Sequence, residues 1–288
     1  MEKYYSFAGV DLTVIIPKDN IYTHERLLEP FSAEKGSDPS VFVFEVTDKI
    51  DAPAGNCAGT APGLRVYREG ELTVKYFGSV KDTWEGAYAR VESCGKNNEV
   101  QLLKARFPRE VGVKTVLNCI GAEHLVPRAG GFVFHCSYVD IGGRAIIFTA
   151  PSGVGKSTQA ELWKNLRGAE IINGDRAVIR CTESGVYACG IPFAGSSSYC
   201  INRDLPLAAV VYLGQAPATK IRRLHGYEAF SRIWEGCSIN TWDEEDVKTV
   251  SDLVARAAQS VPVFHLMCTP DESAVAALEN ILAEVERK

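Results

Sequence analysis

No apolar run in this 288-residue sequence approaches the ~20 residues that a membrane-spanning helix needs. A hydrophobic fraction of 46% with 23% charged residues instead suits a soluble globular protein, and no membrane partner is expected. Basic excess is lacking too: Lys and Arg number 31 against 36 Asp and Glu, a formal net charge of −5. Without a basic footprint nucleic acid is not an expected partner, and any affinity for phosphate must be local. The nine cysteines are odd in number, scattered, and form no CxxC pair, which argues against a disulfide framework and a zinc site. They are expected as small buried apolar residues in a reducing compartment. Met1 to Leu12 carries acidic and polar groups where a secretory segment requires a basic start and a continuous apolar stretch, so the expected location is the cytoplasm.

What is present centres on Arg144 to Thr158, RAIIFTAPSGVGKST. Ile146, Ile147 and Phe148 have the β-branched and aromatic character of a buried strand. Ala150, Pro151, Ser152, Gly153, Val154, Gly155, Lys156 and Ser157 then fit the GxxxxGK[ST] phosphate-loop (Walker A) pattern, with Ala in place of the first Gly. Gly153 and Gly155 allow backbone N–H groups to curl around phosphate oxygens, Lys156 adds a positive charge, and the Ser157 hydroxyl suits Mg²⁺. Thr158 closes the loop, and Gln159 to Leu166 continue as a helix whose N-terminal dipole favours the same anion. The nucleotide expected is ATP or ADP with Mg²⁺.

From Tyr4 to about Phe107 apolar residues recur at period two, predicting a mostly antiparallel sheet. Glu69-Gly70-Glu71 marks a hairpin, and Asp48 to Pro62, rich in Gly, Ala and Pro, is expected as a loop. His24 is isolated among polar residues and is expected as a surface or turn histidine. Helical spacing over Val111 to Val126 predicts a helix that packs on the following sheet, with a domain boundary near residue 110. Gly131 to Ala150 is expected as two strands around Ile141-Gly142-Gly143-Arg144, with His135 on the first. Gly168 is a helix stop, and two short strands flank Asp175, the expected second Mg²⁺ residue beside Ser157. Gly195, Ser196 and Ser197 form a small, hydroxyl-rich segment that either approaches a ligand or is a surface turn. Tyr227, Phe230, Ile233 and Trp234 share one helix face and are expected in the core. Thr241 to Glu244 and Thr269 to Glu272 each have the spacing of a capping box opening a helix.

Taken in order, His135, Val139-Asp140, Gly143 and Ser152 to Ser157 resemble the catalytic domain of the HPr kinase/phosphorylase family, and more distantly the nucleotide domain of phosphoenolpyruvate carboxykinase. The closer likeness is to the shorter HPr-kinase-like proteins, some of which phosphorylate a serine of a peptide and some free serine. In that family an acidic pair followed by Arg comes next. Asp175-Arg176 matches its second acid and the Arg, while Gly174 stands where the first acid, regarded as the proton shuttle, would be. Tyr187 and Cys189 stand near the places of a Glu and an Arg that the family carries. The resemblance implies an α/β (α+β) fold: a mixed-sheet phosphate-loop kinase domain over residues 111–288, preceded by a β-rich, mostly antiparallel domain over residues 1–110.

The function expected is ATP- and Mg²⁺-dependent transfer of a γ-phosphoryl group to a hydroxyl, the acceptor being a serine in a protein, a peptide or a small molecule. Lys156 and the loop amides would hold phosphates, Ser157 and Asp175 the Mg²⁺, and His135 or Asp175 would handle the proton. Arg176, Gly195, Ser196 and Ser197 are candidates for the acceptor side. Replacing Gly174 by Asp is expected to restore part of what His135 supplies. The alternative is a nucleotide-binding regulatory or assembly protein without turnover, for which Gly174 is the best sign. Self-association into a homo-oligomer is left open.

Overall fold

A computed structural model describes residues 1–16, 27–53, 55–78, 85–107, 111–195 and 197–287; His24 lies outside them. The chain is mixed α/β, with two mixed sheets in two compact units. The first unit comprises Met1–Ala122 together with Thr241–Glu244, and the second Glu123–Asn240 together with Glu245–Lys288.

The first unit holds β1 (Glu2–Phe7), β2 (Val10–Ile15), β3 (Ser40–Thr47), β4 (Asn56–Ala61), β5 (Leu64–Glu69), β6 (Leu72–Gly78), β7 (Ala87–Cys94) and β8 (Asn97–Leu103). Their order is β1-β2-β3-β8-β7-β6-β5-β4. Pairing is antiparallel except for β3, which runs parallel to both β2 and β8. β4 arises inside the Gly- and Ala-rich stretch expected as a loop; it is an edge strand with a register shift between Cys57 and Gly59, and its backbone gains a ladder with β5 despite poor strand propensity.

Helix α1 (Val113–Ile120) ends at Gly121, which takes the left-handed conformation (φ 65°). Its buried residues Val116, Leu117, Cys119 and Ile120 serve the first unit, where α1 lies against β7. The sequence places this helix on the following sheet and the boundary near residue 110. Its apolar stripe is instead matched by the preceding one, and the division falls after Ala122. Within the same unit, Trp242 packs so closely on Gly59 that a Cβ there would overlap its own. The Arg68 guanidinium and Lys75 ammonium lie over the Trp242 ring at 5.2 and 5.4 Å, and Arg68 pairs with Asp243.

The helical turn α2 (Ala122–Leu125) spans the division, and the second unit continues through β9 (Gly131–His135), β10 (Ser137–Ile141), β11 (Arg144–Thr149), α3 (Lys156–Arg167), β12 (Glu170–Asn173), β13 (Arg176–Thr182), β14 (Gly185–Cys189), β15 (Asp204–Gln215), β16 (Lys220–Leu224), α4 (Gly226–Trp234), β17 (Cys237–Ser238), α5 (Glu244–Ser260), β18 (Val263–Cys268) and α6 (Glu272–Glu286). The sheet order is β12-β10-β11-β15-β14-β13-β9-β17, with β18 beside β15 and β16 beside β18. β11, β15 and β18 are mutually parallel, so their carboxyl ends share one edge.

Alternate residues of β11 face two cores. Ala145 and Ile147 join Ala229, Ile233, Val250 and Val254 of α4 and α5, while Ile146 and Phe148 join Ala160, Trp163, Val275 and Leu278 of α3 and α6. Burial on both faces is why this strand reads as a continuous apolar run. Tyr227, expected in the core, is 83% exposed, whereas Ile233 of the same helix is fully buried. Asp271, not Thr269, caps α6, its carboxylate accepting from Ser273 N at 2.9 Å. All nine cysteines are free thiols; Cys57 and Cys94 are exposed rather than buried. No helix among the described residues is long and apolar enough to cross a membrane.

Candidate functional site

β11 delivers the chain into the loop Ala150–Gly155, and α3 starts at Lys156. Gly153 (φ 80°) and Gly155 (φ 126°) adopt conformations that an L side chain resists, and a Cβ at either would meet nothing within 4 Å, leaving open space above the turn. Pro151, Ser152, Ser157 and Thr158 are exposed, Val154 is half-buried, and Ala150 is buried. The Lys156 ammonium folds back and donates to Ala150 O at 2.9 Å, spanning the loop it closes. Burial pushes its pKa down, while Cys136 and the Asp175 carboxylate oppose that shift. Asp175 is therefore close enough to Lys156 to act through its charge.

The hairpin expected over residues 131–150 is interrupted at Cys136. Its N–H donates to Asp175 O at 2.9 Å, and β9 departs to pair with β13 while β10 stays beside β11. His135, at the end of β9, stands opposite Arg176 in register and has Nε2 3.7 Å from Asp175 Oδ1. That separation is an ion-pair distance rather than a good hydrogen bond. The His135 ring is the chief cause holding the Asp175 carboxyl below the usual carboxylate range; burial works against it, and Arg176 reinforces it. Arg176 Nε lies 3.3 Å from Asp175 Oδ2, its Nη1 3.1 Å from Glu123 Oε1, and its guanidinium 4.0 Å from the centre of the Phe193 ring.

Asn173 organises this corner, and sequence reasoning did not single it out. Fully buried, it accepts at Oδ1 from the N–H groups of Asp175 (2.9 Å) and Arg176 (3.0 Å), and donates from Nδ2 to Phe193 O at 2.7 Å. The Asn-Gly-Asp turn was the available signal, since Asn side chains commonly bond backbone two residues on. Through Phe193 the same residue brings in the segment carrying Gly195 and Ser197; Ser196 lies outside the described residues. A Cβ at Gly195 would fall 2.7 Å from Asp175 Oδ1. A Cβ at Gly174 would overlap Ser197 Oγ and come within 2.9 Å of Ser197 Cβ. The room that an acid at 174 would need is thus filled by Ser197, whose hydroxyl is sealed from solvent and has no hydrogen-bond partner among the described residues.

The structure brings Lys156, Asp175, His135, Arg176, Gly195 and Ser197 into one neighbourhood. For a hard divalent cation the oxygen donors are suitable: an exposed Ser157 hydroxyl in the first turn of α3 and a carboxylate at Asp175 biased towards its ionised form. A cavity of about 500 Å³ adjoins the loop, lined by Gly153 to Gly155, Thr158 and Gln159, by Leu213 to Ala216 after β15, and by Cys268 to Pro270 after β18. It lies at the carboxyl ends of parallel strands, the usual ligand side of an open α/β sheet.

No family model matches the chain, and no curated protein matches it. Among solved structures it is similar to the HPr(Ser) kinase/phosphatase from Coxiella burnetii at 10% identity and a TM-score of 0.32, over 54% of this chain and 90% of that one. Likeness at that level is distant, and the chemistry has to be read from this chain's own residues.

Proposed function

We propose that the chain is an ATP- and Mg²⁺-dependent kinase that transfers a γ-phosphoryl group to a hydroxyl, with a serine of a protein, peptide or small molecule as acceptor. The supporting observation is the His135–Asp175 pair, its carboxylate within charge reach of Lys156, together with an open glycine turn at a helix N-terminus. In this reading the loop amides and Lys156 hold the phosphates, Lys156 leaving Ala150 O for a phosphate oxygen. The acceptor oxygen attacks Pγ, the Pγ–O bond to ADP breaks, and the hydroxyl proton passes to the Asp175 carboxylate or the His135 imidazole. Ser157 and Asp175 would hold Mg²⁺, which supplies charge neutralisation at the phosphate oxygens. Arg176, anchored by Glu123 and Phe193, keeps Asp175 ionised and in place.

One observation favours a second reading, a nucleotide-binding regulatory or assembly protein without turnover: Ser197 occupies the space beside Gly174. Incubation with γ-labelled ATP, Mg²⁺ and a panel of serine acceptors separates the two. Label transfer that Lys156→Ala abolishes supports the kinase. Tight nucleotide binding with no transfer to any acceptor, the chain itself included, supports the second reading.

A further inference from the structure

Gln159, in the first turn of α3, is only 3% exposed and lines the cavity beside the phosphate loop. Its Nε2 donates to Cys268 Sγ at 3.3 Å, a weak acceptor, and its Oε1, sealed from solvent, has no hydrogen-bond partner among the described residues. Buried amides without partners are rare, because the desolvated group gives up its water and receives nothing back. The cavity walls around it are small or apolar, including Val154, Leu213, Gly214, Ala216 and Pro270, which suits a flat ring.

We propose that this cavity receives the base of the nucleotide and that Gln159 selects a base bearing an exocyclic amino group, as adenine does. The inference rests on the phosphate-loop reading, and it adds the base specificity of that site. A half turn about the terminal amide torsion, which is soft for Gln, exchanges the weak Nε2–Cys268 contact for an Oε1 that faces the cavity on the Cys268 side as an acceptor. Adenine supplies an N–H donor from N6, and hypoxanthine, the same ring system with an oxygen at that position, supplies an acceptor instead. Two acceptors facing each other repel, so the inosine nucleotide binds more weakly although its shape is nearly the same.

The test is calorimetric titration of the full chain, in Mg²⁺, with ATP, ITP and inorganic tripolyphosphate. The expected result is that ATP binds about tenfold or more tightly than ITP. In Gln159→Met, close in volume but without the acceptor, ATP should fall to the level of ITP while tripolyphosphate affinity stays unchanged. The wild-type comparison needs no variant, so a misfolded Gln159→Met does not blunt it. Equal affinity for ATP and ITP, with tripolyphosphate still bound, overturns the base assignment and leaves the phosphate loop standing. Failure of all three to bind overturns the phosphate-loop reading, and the base assignment with it.

Discussion

Gly174→Ala adds one methyl group at the point where the Ser197 side chain already sits. The new carbon would lie 2.9 Å from Ser197 Cβ, against roughly 3.5–4.0 Å for carbons in contact. The segment at Ser197 must therefore retreat by about 0.6–1.1 Å, and turning the hydroxyl away is not enough. Overpacking of this kind destabilises by about 1–3 kcal/mol. For a unit of this size each kcal/mol shifts Tm by about 2–4 °C, so the expected drop is about 2–12 °C. Differential scanning calorimetry of the wild type, Gly174→Ala, Ser197→Gly and the double variant forms a cycle. If the side chain of Ser197 is the obstacle, the methyl group should be nearly silent when Ser197 is glycine, with a coupling of about 0.5–3 kcal/mol. Gly174→Asp carries the same Cβ, so it should lower Tm and, added to His135→Asn, should not bring back the transfer that sequence leads one to expect. Any gain should need Ser197→Gly beside it. Full stability of Gly174→Ala, or an equal loss in both backgrounds, would refute the reasoning.

Lys156→Ala should weaken ATP binding by about 10- to 100-fold, the scale of one charged hydrogen bond of ~1.5–3 kcal/mol; unchanged affinity in calorimetry would remove the nucleotide site. Asp175→Asn should reduce Mg²⁺-dependent binding or turnover far more than Tm, since the carboxylate is partly exposed and packs little; a large Tm loss with metal-dependent activity retained would make Asp175 structural. His135→Asn should leave ATP affinity intact while slowing transfer by about 10²-fold, the lower scale of a lost acid/base group; full turnover would assign the proton to Asp175 alone. Burial raises the Asp246 carboxyl, but hydrogen bonds from His124 and Asn240 outweigh it and hold the folded pKa below the ordinary 3.8. A depressed carboxylate stabilises the fold above the unfolded pKa and loses that contribution as pH falls through the folded one. Acid melting below about pH 4 should thus be steeper for the wild type than for Asp246→Asn; parallel curves would contradict it.

The strand-loop-helix unit around Lys156 was legible because each signal is local. An apolar run buried on both faces, glycines at positive φ, and a glycine stop at Gly168 (φ 67°) all lie within 25 residues. Asp175 was legible for the same reason, as a turn residue between two short strands. What escaped depends on partners distant in sequence. Nothing near Cys136 announces that β9 leaves for β13, since the break is set by a backbone bond to Asp175. The side of α1 that would be covered, and by which sheet, is likewise a matter of packing rather than pattern. At the start of α6 two residues could cap, and Asp271 prevails over Thr269 by reaching Ser273 N. Gln159 reads as one more polar position of an amphipathic helix, and only its burial against Cys268 sets it apart.

The return of Thr241–Glu244 to the first unit bears on how the chain is made. A ribosome releases Ala122 well before Thr241, 119 residues later, which at roughly 5–20 residues per second is a delay of about 6–24 s. Throughout that interval the nascent first unit lacks Trp242 over Gly59, Arg68 and Lys75, and its hairpin edge stays unfinished. The second unit has by then emerged only through β17 and still lacks α5, β18 and α6, so neither unit can close before the chain passes Trp242. A release of the chain anywhere before Trp242 leaves both halves incomplete, and production of the amino-terminal unit by itself calls for that four-residue segment to be supplied by a new connection.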